Sequence, residues 1–219
     1  MNHPTKEECY SILENYGTPP HVIGHCNGVA GVAYRLAKAI NEAGGTRSLE
    51  LCDVVMSRIK EDKDRFRFVQ ENANADLGTC RDMNLDTVLA AGLLHDMARV
   101  EEDHWDVGAD WCRDRGLLDE EKIIRVHMHY NFSNDVDYLN EIDLVCLGDR
   151  LTLEDHYAGL DDRMDYIIEK AKKFGRPEAE PIILKKKEDT RILLNAIEAK
   201  IGITVDELME DLDYNNIGE

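Results

Sequence analysis

Leu85-Asp86-Thr87-Val88-Leu89-Ala90-Ala91-Gly92-Leu93-Leu94-His95-Asp96 is the stretch that decides the reading of this chain. Val88, Leu89, Gly92 and Leu93 recur at helical spacing, so the segment reads as a buried helix, expected over 85–98. It runs into two adjacent ionisable groups. Unpaired charge inside a protein is expensive, so such groups neutralise or find a partner. A divalent cation satisfies an imidazole and a carboxylate together. Its remaining ligands must then come from elsewhere in the chain.

Almost every other segment also reads as helix. Thr5-x-x-Glu8 is a capping box, and Gly17-Thr-Pro-Pro20 stops one helix and starts the next. From His21 to Ala43, Val22, Val29, Val32, Ala33, Leu36 and Ile40 keep a 3.6-residue period, and Gly44-Gly45 ends the run. Further helices are expected over 102–115, 119–129, 141–151, 160–174, 182–201 and 204–212, the last opened by the capping box Thr204-x-x-Glu207. Residues 47–84 form a charged excursion, read as a solvated helix over 48–71 and then a loop. No strand pattern or repeat is present, and Tyr214 to Glu219 is expected to fray. The fold class is all-α.

Composition narrows the function. With 219 residues and a formal net charge of −19, the chain repels polyanions and shows no basic patch to offset this. Duplex nucleic acid and membrane are therefore not expected partners. A small phosphorylated molecule remains compatible where metal ions and local arginines reverse the field. The N-terminus lacks the basic-then-apolar order of a signal peptide, so a cytoplasmic location is expected. The six cysteines are scattered without a C-x-x-C pair, which fits small core residues rather than a zinc ribbon or a disulfide framework.

His25 lies on the apolar face of the 21–43 helix, one turn after Val22 and one turn before Val29. Asp149 sits among apolar neighbours in Leu147-Gly148-Asp149-Arg150-Leu151. A single histidine on an apolar face is usually a hydrogen-bonded core residue. Three separated helices that each push ionisable groups inward make a mixed N/O donor set for a metal in a helical bundle.

The order His25…His95-Asp96…Asp149 resembles the HD domain superfamily of metal-dependent phosphohydrolases. The likeness extends to the run from Cys26 to Ala37 after the first histidine. It includes Leu93-Leu94-His95-Asp96-Met97-Ala98-Arg99, similar to LLHDIAK/R, and His104 to Ala109, similar to H-x-x-x-G-A. Ile124-Arg125-Val126-His127 resembles I-x-x-H, and Leu147 to Leu151 resembles L-A-D-K-L. Glu141 and Arg163 also fit positions seen in relatives. Five ordered segments are far more specific than the dipeptide alone.

The resemblance spans residues 6–175. It implies an HD-type metal-binding helical domain over 1–175, with 47–84 as an extended insertion. Residues 176–219 are then C-terminal helices that pack on the same domain. It further implies divalent metal, one ion or two, with Fe, Mn, Co, Ni, Zn and Mg not told apart. His25, His95 and Asp149 serve one ion and His104 and His127 the other, with Asp96 between them. A mononuclear site would instead leave His104 and His127 as substrate contacts. Asp96 and Arg99 are the implied catalytic residues, and Arg99, Arg150 and His21 the substrate contacts. The arginines would meet phosphate through forked, charged donors. Met128 follows His127 where relatives often carry His or Thr. His129 lies about 200° further round a helix, so it and His127 cannot both point inward.

The expected function is hydrolysis of a nucleotide or other small phosphate ester by metal-activated water. A diiron HD-type oxygenase uses the same ligands and is the alternative, as is a non-catalytic helical ligand-binding module. A homodimer is compatible with either.

Overall fold

The computed structural model describes residues 3–47, 80–128, 130, 132 and 136–218. The helix expected over 48–71 and the role weighed for His129 lie outside the described residues.

The chain is all-α. α1 (Lys6–Tyr16) opens with the Thr5 capping box and ends at Gly17, whose φ of 86° only glycine adopts easily. α2 (Pro20–Glu42) is the long central helix, buried along much of its length from Val22 to Ile40. α3 (Leu85–Leu94) starts at Asn84, whose side chain accepts from the amides of Asp86 and Thr87. α4 (His104–Arg113) and α5 (Leu118–Val126) form a helical hairpin turned at Gly116, where φ is 77°. α6 (Glu141–Leu151) follows, capped by a box between Asn140 and Asp143. α7 (Gly159–Lys173), α8 (Glu180–Ile201) and the short α9 (Val205–Met209) complete the described helices. None of the described helices is long and apolar enough to cross a membrane.

Two features correct the sequence reading. A two-residue strand pair, β1 (Thr152–Leu153) with β2 (His156–Tyr157), follows α6 as a tight antiparallel hairpin. Two-residue strands give no alternating pattern to detect. The C-terminal tail is docked rather than frayed. Ile217 is buried, the Tyr214 hydroxyl accepts from the Tyr157 amide at 2.7 Å, and Asn27 donates to the Tyr214 carbonyl at 3.2 Å. Several helices are also shorter than expected. α3 stops at Leu94 instead of reaching 98, and α5 stops at Val126.

α2 packs on α3 and α6, and both crossings are made at glycine. A Cβ on Gly92 of α3 would stand 2.8 Å from the Cα of Ala30. A Cβ on Gly148 of α6 would stand 2.8 Å from the carbonyl oxygen of Val29. Backbones therefore approach closely on both sides of α2, one turn beyond His25. Gly92 lies three residues before His95, and Gly148 immediately precedes Asp149. The same crossings that build the core bring the three ionisable groups together. The main core runs continuously from Val29, Leu36 and Ile40 through Leu144 and Leu147 to Leu193, Ile197 and Val205. The C-terminal helices thus share one hydrophobic core with the earlier part of the chain.

Candidate metal centre

His95 and His127 are the C-caps of α3 and α5. The last carbonyls of a helix lack intrahelical partners. Each ring uses one of them: His95 Nδ1 donates to the Gly92 carbonyl at 2.8 Å, and His127 Nδ1 donates to the Ile124 carbonyl at 2.6 Å. The proton is therefore on Nδ1, and Nε2 carries a lone pair. Both Nε2 atoms are buried and lack any hydrogen-bond partner. Two bare, inward-aimed imidazole nitrogens are an unsatisfied donor set for a cation. Burial holds the His95 pKa down at about 4, against an ordinary 6.5.

His25 enters from α2. Its Nδ1 donates to the Glu154 carbonyl at 2.9 Å, and its Nε2 lies 3.1 Å from Asp149 Oδ1. Burial works against charge on His25, but the Asp149 carboxylate more than offsets this and raises its pKa. Glu154 is at the hairpin tip with φ of 56°, a left-handed conformation that L-residues adopt at a cost. This strained tip supplies the carbonyl that orients His25. Asp103, which precedes His104 at the start of α4, has φ of 53°.

Asp96 is the hub. Its Oδ1 lies 3.0 Å from His104 Nε2 and 3.4 Å from His127 Nε2. Its Oδ2 lies 3.7 Å from His95 Nε2 and 3.9 Å from His25 Nε2. One carboxylate therefore faces two pairs of imidazoles with its two oxygens. Burial opposes its ionisation, yet the neighbouring histidines hold its carboxyl well below the usual range. Asp149 is likewise held low against the penalty of burial, first by His25 and then by the Arg163 cation. Donor atoms of His25, His95 and Asp149 lie within 4.8 Å of one another, as do those of Asp96, His104 and His127. These groups can hold a metal ion, and all six ligand positions singled out in the sequence converge here.

The hub lies at the floor of a cleft of about 600 Å³, open on one side. Its wall includes His21, Arg99, Glu154, Asp155, Arg163, Tyr166 and Lys170. Arg99 and His21, expected as substrate contacts, line this cleft. Arg150 does not. It donates to Thr190 Oγ1 at 3.0 Å and to the Tyr130 carbonyl at 3.2 Å, and its guanidinium stacks 4.1 Å over Phe132. Successive helical residues point about 100° apart, so with Asp149 facing the centre its neighbour faces α8 instead. Glu141 is also elsewhere. It accepts two bonds from Arg81, at 2.8 and 3.0 Å, and one from the Asn84 amide. Trp105 packs edge-on to His104 at 5.1 Å, while Trp111 packs against Tyr16 and under Arg115. Tyr166, Lys170 and the Glu154 carbonyl escaped the sequence reading. The first two lie on the polar face of an amphipathic helix, where nothing in a single sequence distinguishes a cleft wall from open surface.

Comparison with models of known families, with curated proteins and with solved structures finds no match for this chain.

Proposed function

We propose that this chain is a metal-dependent phosphohydrolase acting on a nucleotide or another small phosphate ester. The observation that carries this reading is the shared Asp96 carboxylate between two imidazole pairs, two of whose nitrogens are buried without a partner. The ordered likeness to HD-type phosphohydrolases supports it. His25, His95 and Asp149 would hold one ion and His104 and His127 a second, with Asp96 common to both. Mixed imidazole and carboxylate donors suit first-row transition metals. Such an ion lowers the pKa of bound water towards neutrality and polarises a phosphoryl oxygen.

The chain's own residues do the rest. Nδ1 hydrogen bonds to the backbone keep the rings of His25, His95 and His127 in fixed orientations. Asp96 stays ionised and orients the attacking water. Arg99 and Arg163 present forked donors to phosphate oxygens at the cleft floor, and Lys170 adds positive charge further out. These cations counter the net charge of −19 where an anionic substrate must enter. The cleft volume fits a nucleotide-sized ligand.

The test is elemental analysis of the purified protein, followed by a phosphate-release screen over nucleotides and sugar phosphates with Mn²⁺, Co²⁺ or Ni²⁺ in anoxic buffer. Phosphate release is expected, and Asp96→Asn should lower it by more than about 100-fold with the helical circular dichroism retained. Iron-loaded protein with oxygen-dependent turnover and no phosphate release would assign the oxygenase chemistry instead. Asp96→Asn that changes melting alone, with no turnover in either protein, would leave a non-catalytic module.

A further inference from the structure

Arg99 stands in an unusual place for a substrate-binding arginine. Its Nη1 lies 3.1 Å from Asp96 Oδ1, 3.1 Å from Asp96 Oδ2 and 3.3 Å from His104 Nε2. A guanidinium only donates hydrogen bonds. The same His104 nitrogen lies 3.0 Å from Asp96 Oδ1, so the guanidinium stands beside the ring atom and the carboxylate that would hold a metal. Both oxygens of the Asp96 carboxylate meet this one cationic nitrogen, with His104 Nε2 beside it, which is the place a bound cation would take. Arg163 makes a different contact on the other side of the site. Its Nη2 meets Asp149 Oδ1 at 3.3 Å, but its Nε is tied to the Asp149 carbonyl at 3.2 Å and its side chain is only 15% exposed. The Arg99 side chain is 43% exposed and faces the open cleft, so it has room to leave.

We infer that Arg99 is a built-in competitor for the ion held by Asp96, His104 and His127. It fills that position when the position lacks an ion, and it turns into the cleft when one binds. The freed guanidinium then meets the substrate phosphate, so filling this half of the centre and binding phosphate are coupled. Among the described residues, the half formed by His25, His95 and Asp149 has no such removable arginine, and it fills first. This order of filling rests on the metal reading above.

The test uses the full chain stripped of metal and titrated calorimetrically with Mn²⁺, Co²⁺ and Zn²⁺ in turn. The wild type should take two ions with unequal affinities. Arg99→Gln should tighten the weaker event roughly tenfold, because charge-assisted hydrogen bonds no longer oppose it. The tighter event should stay within about threefold, since the two halves differ in whether Arg99 touches them. Arg99→Lys, which keeps a charge but loses the fork, should fall between. Inorganic phosphate should bind doubly loaded Arg99→Gln roughly fivefold or more weakly than doubly loaded wild type. Circular dichroism checks that each variant is folded. An unchanged or weakened second event in Arg99→Gln, or a single ion in both proteins, overturns the inference and leaves the metal reading standing. Binding of none of the three ions by either protein overturns both.

Discussion

His95 is a buried base whose Nδ1 donates to the Gly92 carbonyl and whose Nε2 makes no hydrogen bond, so burial opposes a second proton more than Asp96, 3.7 Å away, favours it. Its pKa near 4 in the folded metal-free chain, against 6.5 in the unfolded one, fixes the sign of a pH effect. Between those values the unfolded chain binds the proton first, so stability falls as pH drops from about 6.5 to about 4. The loss from this group is on the order of 3 kcal/mol. His25 acts oppositely, because its pKa is raised by Asp149 and its contribution is full at low pH. It offsets part of the loss. Asp96 and Asp149, both held low, contribute above their ordinary values near 3.8 and surrender that contribution only in stronger acid. Urea unfolding of chelator-treated protein at pH 7, 5.5 and 4.5 should therefore show falling stability. His95→Gln should flatten that slope. A wild-type profile flat over this window would mean that the His95 ring is solvated or shares its proton with another group.

At the scale of elements, ligand geometry is set by two glycine crossings of α2. Gly92→Ala puts a methyl 2.8 Å from the Ala30 Cα and 3.1 Å from its Cβ, with backbone rather than a flexible side-chain tip in the way. Overpacking of this kind costs about 1–3 kcal/mol. Gly92 also supplies the carbonyl that aims His95, so metal affinity should fall with stability. Denaturant unfolding and a metal titration on the same variant measure both, and unchanged affinity in a destabilised variant would separate the crossing from the site. The elements themselves were legible from period and caps: Thr5 and Thr204 sit where capping boxes form. The six converging His and Asp positions were legible because metal chemistry restricts residue type. The crossings were not, since a glycine in an apolar run does not say which helix it meets. Arg150 was misplaced because adjacency in sequence is not adjacency around a helix. The hairpin tip at Glu154 was hidden because it contributes a backbone carbonyl, which every residue has.

Across the whole molecule, the two stretches that flank residues 48–79 meet at one point. Thr46 and Arg81 pair as an isolated antiparallel bridge, with amide-to-carbonyl distances of 2.9 and 2.7 Å in the two directions. The returning end is then fixed three times over. Arg81 is clamped on the buried Glu141 carboxylate, Asn84 donates its amide to the same carboxylate, and Met83 exchanges hydrogen bonds with the Asn41 side chain at 2.8 and 3.0 Å. A body anchored in this way on both sides of the junction does not need a long connection to hold its ends together. Replacing residues 48–79 with a two-residue Asn-Gly turn should leave the remaining chain folded. A shorter loop lowers the closure entropy, a gain on the order of 1–2 kcal/mol that offsets any packing removed with the segment. The midpoint of thermal unfolding should stay within about 5 °C of the full chain. The metal stoichiometry of the cleft should be unchanged, because every residue that converges on Asp96 comes from α2, α3, α4, α5 or α6 and their ends. A shortened chain that unfolds without cooperativity would show that residues 48–79 complete the core. One that folds but binds one ion fewer would show that they shape the centre.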